Sequence, residues 1–266
     1  MWRIYCLFAL IVGTGNFLPA QSDSLPRLTM DAIRQLPDTT LPIAFHFVGL
    51  PDGRNFVTDP RDSLLAAHGN NDKLRSNILV YYLLLELNAK FRGGMLDYPP
   101  SKDTKIRFGL YKPGEGELPA LQHYAYGERP RMVPGVYNVI FQYRAGKSPD
   151  GSTGGTGSKR IVVYNVLQRY LAGSSDFWTV ARNIGHEIGH SLSLDHTFHC
   201  ENPCAGQGFD PAEECFGTCV PHNQGSGEVN CFGGSDRQLL MGYGAQTSLT
   251  VCEVERMWNY MLRREG

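Results

Sequence analysis

His186, Glu187, His190 and His196 are the residues of this chain whose types and spacing can do chemistry. They stand in the run His186-Glu187-Ile188-Gly189-His190-Ser191-Leu192-Ser193-Leu194-Asp195-His196. Two histidines four positions apart leave a helix from one face, a turn apart, so their ring nitrogens can share one ion. Glu187 follows the first of them and points about 100° round the helix, beside that ion and not onto it. A carboxylate in that place can take a proton from a water. His196 returns to the same point only if the helix ends near Leu192–Ser193 and the chain turns back. Three protein ligands with a fourth position left for water are the catalytic arrangement of zinc, not the structural one.

The elements that must position these residues are legible around them. The motif helix begins at Ser174, Ser175 or Asp176 as cap, and Phe177, Ala181, Ile184 and Ile188 give it an apolar stripe. Gly185 and Gly189 each cost that helix about 1 kcal/mol relative to Ala, which close packing against a neighbour can offset. Leu41–Val48 is almost unbrokenly apolar, the pattern of a strand buried on both faces. His46 within it reads as a core histidine. Gly49–Asn71 is a polar loop. Asp72–Phe91 reads as a helix with Leu74, Ile78, Tyr81, Leu85 and Ala89 as its stripe, Asn71 or Asp72 as cap and Gly93-Gly94 as its end. Thr104–Leu110, Val136–Tyr143 and Arg160–Tyr164 are further strands, with a loop between the first two. Arg144–Ser158 carries five glycines, so it is mobile or makes a close backbone approach. It is not a phosphate loop: its Gly146-Lys147-Ser148 opens the stretch instead of ending it and has Phe141 where that motif's first glycine must stand. Val251–Arg264 reads as the last helix, opened by a Thr250/Glu253 capping box and buried through Val254, Met257, Trp258 and Met261.

The chain as a whole has 266 residues, 42% hydrophobic and 19% charged, with a net charge of −1. That is a globular composition with no electrostatic reason to bind nucleic acid or an anionic membrane. Residues 1–20 read as a signal peptide: Arg3, the apolar run Ile4–Val12, and Ala20 before a cut. The run is too short to span a bilayer, so the mature chain carries no membrane span. Residues 21–40 read as a leader or short pro-segment. Beyond Cys6 the cysteines are Cys200, Cys204, Cys215, Cys219, Cys231 and Cys252, all after the histidine motif. An even number behind an export signal points to disulfides, and the sequence does not choose the pairing. Cys200/Cys204 and Cys215/Cys219 also have the spacing of a second metal site.

The extended histidine motif resembles that of the metzincin zinc peptidases. The chain is most similar to the pappalysin-like, ulilysin-type members, over residues 41–262. The likeness rests on the motif, on Leu41–Val48, Asn88-Ala89-Lys90-Phe91, Thr104–Leu110 and His196-Thr197-Phe198, and on Leu249-Thr250-Val251-Cys252. It departs at Ser193, where the family has a Gly that turns the chain with positive φ. Ser there costs about 1 kcal/mol or more. The resemblance implies an α/β (α+β) fold: a twisted, mostly parallel sheet with backing helices over residues 41–192, then a smaller, irregular, disulfide-bearing subdomain over 193–266. It implies that Met241 lies in a turn beneath the zinc, that Tyr243 binds the oxyanion, and that part of Arg144–Ser158 is the edge strand of a cleft. It also implies a calcium site, for which Asp210, Glu213 and Glu214 are candidate ligands. The activity implied is that of a monomeric endopeptidase, secreted, periplasmic or on the cell surface, with peptide or protein as substrate. A zinc amidase acting on a non-protein amide uses the same groups. A binding or adhesion protein that keeps the fold has no need of Glu187.

Overall fold

The computed structural model describes residues 27–93, 102–147, 152–155, 157–174, 176–196, 240–242 and 248–265. Its strands are β1 (Thr39–Val48), β2 (Ile106–Leu110), β3 (Leu121–Tyr124), β4 (Tyr137–Gln142), β5 (Ser152–Thr153) and β6 (Arg160–Tyr164). They form one sheet in the order β2-β1-β4-β6-β5, with β3 also paired to β1. Every pairing is parallel except that of β5, which runs antiparallel along β6 as the sheet's far edge. Thr39–Ile43 of β1 pairs with β2, and Phe45–Val48 pairs with β3. β3 lies in the stretch expected to be loop. Its four residues carry two polar side chains, too short and too mixed a run to stand out as a strand.

β1 is buried on both faces, as its composition requires. Ile43, Phe45 and Phe47 join the main core with Val139, Phe141, Ile161 and Val163 from the neighbouring strands. The opposite face is covered by the 111–136 segment, where Val133 and Val136 pack on Ala44, and Tyr124 and Met132 pack beside Val48. His46 is fully buried there, with its Nε2 2.9 Å from Asn138 Oδ1. It is a core histidine.

The helices are α1 (Met30–Arg34), α2 (Ser63–Ala67), α3 (Ser76–Phe91), α4 (Val166–Leu171), α5 (Phe177–Ser191) and α6 (Val251–Glu265), with a 3₁₀ turn at Asp72–Leu74. The expected Asp72–Phe91 helix is therefore broken at Arg75, whose backbone is extended and bridges Val57. The face expected to be buried on α3 is also not the one used. Leu79, Val80, Leu83, Leu87 and Phe91 turn inward, whereas Tyr81 and Leu85 are 59% and 50% exposed. Apolar residues surround this helix, so periodicity gave no preferred side, and packing against β2 and α5 decides it.

α5 begins where Asp176 accepts the Thr179 N–H at 2.6 Å. It lies against α3 through Gly185, where a methyl group would come 3.3 Å from Leu87 and Leu240 side chains. The glycine's cost in helix stability is offset by this approach. α6 opens with the expected capping box: the Thr250 N–H donates to Glu253 Oε2 at 2.8 Å, and the Glu253 N–H donates to Thr250 Oγ1 at 3.1 Å. α6 also ties down the start of the described chain. Asn259 exchanges two hydrogen bonds with the Leu28 backbone, and Glu255 accepts the Met30 N–H. Ile33 of α1 is consequently fully buried.

Glu253 is buried, and its Oε1 has no hydrogen-bond partner among the described residues. Burial pushes its pKa up from 4.5 to about 7, against the opposing effect of the two Thr250 bonds. The folded chain thus holds a proton that the unfolded chain releases, and stability falls as pH rises through that window. Glu253→Gln keeps an acceptor for the Thr250 N–H and removes the titration. Its unfolding free energy should gain on that of the native chain from pH 4.5 to pH 7, by an amount on the order of 3 kcal/mol read from denaturant melts. A gap independent of pH would contradict this.

Candidate functional site

The site is built by the way α5 ends. Ser193 takes a φ of 71°, the left-handed conformation that the resemblance implied for that position. The Leu194 N–H then donates back to the Gly189 carbonyl at 2.9 Å, and the Ser193 N–H to the His190 carbonyl at 3.0 Å. These two bonds are the Schellman closure of a helix end. They reverse the chain within two residues and carry His196 back over the helix. His196 Nε2 comes to rest 3.2 Å from both His186 Nε2 and His190 Nε2.

The imidazoles are oriented by what their other nitrogens do. His186 Nδ1 lies 2.9 Å from the Leu240 carbonyl, and His190 Nδ1 lies 2.9 Å from the Leu194 carbonyl. A carbonyl accepts only, so both Nδ1 atoms carry the proton and both Nε2 atoms present lone pairs. Burial pushes the His186 pKa down to about 4, aided by the like charges of His190 and Arg182 and opposed by the Leu240 carbonyl. His186 is therefore neutral at physiological pH. Lone pairs aimed at one point are unfavourable unless a cation sits there. Tetrahedral ligands at zinc–nitrogen distances of about 2.0–2.1 Å stand about 3.3 Å from one another. The residues present fit such an ion: three histidines with ligand atoms within 4.8 Å of one another, in partly buried surroundings.

Met241 is fully buried directly beneath. A methyl group on Gly189 would overlap the Met241 sulfur, so the glycine between the two helix histidines makes room for it. Leu240, the residue before it, supplies the carbonyl that orients His186. On the other side, Arg256 of α6 donates to Asp195 Oδ2 at 2.9 Å, fastening the residue that precedes His196.

Glu187 is buried at the rim. Its Oε1 accepts the Ser152 hydroxyl of β5 at 2.8 Å, and the Gly154 backbone lies against its carboxylate. Burial raises its pKa, and Ser152, His190 and Gly154 all act in the opposite direction. The glycine-rich stretch does make the close approach anticipated for it, and what it approaches is this carboxylate.

Of the residues singled out by sequence, His186, Glu187, His190, His196 and Met241 come together. Tyr243, Asp210, Glu213, Glu214, Cys200, Cys204, Cys215, Cys219 and Cys231 lie outside the described residues. Cys252 lies in the first turn of α6. The carbonyls of Leu194 and Leu240, and Ser152, were not anticipated. A backbone acceptor leaves no trace in residue type, and a lone Ser in a glycine-rich loop gives only a faint one.

Residues 147–262 match the sequence profile of the Peptidase M43 family, described as pregnancy-associated plasma protein-A. No curated protein matches the chain. Among solved structures it is similar to mature mirolysin of Tannerella forsythia in complex with a cleaved peptide, at 14% identity and a TM-score of 0.48, covering 82% of this chain and 89% of that one. It is also similar to a promirolysin mutant of the same organism, at 14% identity and a TM-score of 0.49, covering 84% and 80%.

The strained turn gives a direct test. Ser193→Gly removes the left-handed penalty at the helix end and should stabilise the chain by about 1 kcal/mol, a rise of a few degrees in thermal midpoint. A lower midpoint in the glycine variant would contradict the geometry assigned to this turn.

Proposed function

We propose, from the premise that this chain belongs through residues 147–262 to the Peptidase M43 family and is a metallopeptidase, that it is an exported zinc-dependent endopeptidase. The observation that supports zinc is the convergence of three Nε2 atoms, with two of the rings locked by backbone carbonyls so that their Nε2 lone pairs face the same point. His186, His190 and His196 would hold the ion. When bound, zinc supplies Lewis acidity toward a water and toward the carbonyl to be cleaved.

The chain's own residues supply the rest. Glu187 takes a proton from the attacking water as its oxygen joins the carbonyl carbon, and returns it to the leaving nitrogen as the C–N bond breaks. Tyr243 donates to the developing oxyanion. β5 is the free edge of the sheet beside Glu187, and an extended peptide pairs with it by strand addition. Main-chain pairing of that kind favours a peptide over a small amide and separates this reading from an amidase. Met241 and the Gly189 notch keep the floor of the site packed and dry.

Export rests on Arg3 and Ile4–Val12 and agrees with disulfide formation among Cys200, Cys204, Cys215, Cys219, Cys231 and Cys252. Among the described residues, no helix is long and apolar enough to cross a membrane. The reading includes a monomer with residues 21–40 as leader and 41–266 as the peptidase domain, the leader packing on that domain through α1 against α6 and running into β1 at Thr39–Thr40. Calcium is not part of it, since nothing beyond the resemblance favours that ion.

Cleavage of a denatured protein by the zinc-loaded chain should fall by about a hundredfold or more in Glu187→Ala, with zinc content unchanged. Cleavage unaffected by that substitution would remove Glu187 from the mechanism. Zinc retained by a native chain that hydrolyses only non-protein amides would favour the amidase.

A further inference from the structure

β5 does more than offer an edge. Ser152 in β5 and Gly154 just after it both face Glu187. The Ser152 hydroxyl donates to Oε1 at 2.8 Å across 35 residues of sequence. A methyl group at Gly154 would lie 2.7 Å from Glu187 Oε2 and 3.2 Å from its Cβ, so only glycine lets the strand come this close.

The segment is also held at its far end. The Gly157 N–H donates to the carbonyl of Ser191, the last residue of α5, at 3.1 Å. Arg264 of α6 donates to the Gly157 carbonyl at 3.1 Å. Gly157 has a φ of 72°, and a methyl group there would overlap the Arg264 guanidinium. Ser152 and Gly154 thus lie against the base, and Gly157 against the end of the helix that carries it.

A glutamate has three side-chain torsions, and burial alone does not select among its rotamers. The Ser152 hydroxyl does, with the Gly154 backbone closing the space beside the carboxylate. We propose that Ser152 is a positioning residue for peptide cleavage, which holds the Glu187 carboxylate in the orientation used for proton transfer. Seating of a peptide on β5 and alignment of the base then occur on one strand. This rests on Glu187 being the base in the reading above, and it adds that the rim is part of the proton-transfer machinery as well as a surface for substrate.

The test uses the zinc-loaded full chain and an extended peptide substrate, with kcat, KM and zinc content measured for Ser152→Ala, Ser152→Thr and Glu187→Ala. The expected result is a fall in kcat of about tenfold for Ser152→Ala, with KM within about twofold and zinc unchanged. Ser152→Thr, which keeps the hydroxyl, should restore kcat to within about twofold. Should the alanine variant lose its fold, Ser152→Cys keeps the volume with a weak donor and should show the same loss. An unchanged kcat in Ser152→Ala while Glu187→Ala is inactive overturns the inference and leaves the base in place. A raised KM with unchanged kcat overturns it too, assigning Ser152 to substrate binding. Full activity in Glu187→Ala overturns both.

Discussion

Helix α5 closes on Ser193 with the Gly189 and His190 carbonyls taken up by the returning chain, and the arrangement of the site follows from that closure. The turn brings His196 within 3.2 Å of the two helix histidines. It also places the Leu194 carbonyl where His190 needs an acceptor for Nδ1–H. The same two bonds that satisfy a helix end thus fix a ring tautomer and deliver the third ring. The strain of a non-glycine residue at positive φ is tolerated because these bonds, the buried Leu194 and the Arg256–Asp195 pair over-determine the turn. An Arg–carboxylate pair this exposed contributes little by itself. Its part is to limit where the residue before His196 can go.

The sheet does for Glu187 what the turn does for the histidines. Four parallel pairings rooted in β1 and β4 make a stiff slab with apolar residues on both faces. α3 and α5 lie on one side, close-packed through Gly185. β6 then carries a two-residue antiparallel edge to the carboxylate. Glycines act at three places here for one reason, the absence of a side chain: Gly185 for α3, Gly189 for Met241 and Gly154 for Glu187. In each case a single methyl group would separate surfaces that the site requires in contact.

The chemistry was largely legible because it depends on residue type and short spacing. The His186/His190 pair needs only a helix, and the apolar stripe and Asp176 supply that signal. The turn after Leu192 followed from the need to return His196, and the cost at Ser193 from the resemblance, which places a positive-φ Gly there. β1 announced its double burial, and Thr250 with Glu253 announced a helix start. The inward face of α3 was not legible, since Leu85 is as apolar as Leu83 and Leu87 and only the neighbours decide. β3 was missed because pairing to the second half of β1 is a long-range event with no local pattern. The carbonyls of Leu194 and Leu240 are backbone atoms, present at every position, and become ligand-orienting groups only through the fold. Ser152 is the intermediate case: its glycine-rich surroundings forecast a close approach without saying to what.

X-ray absorption at the zinc edge of the metal-loaded chain tests the central claim most directly. The account predicts a first shell of three imidazole nitrogens at about 2.0 Å with oxygen completing it and no sulfur. Loss of one imidazole in His196→Ala should follow. Sulfur at about 2.3 Å would place the metal on the cysteines after the motif and contradict the account.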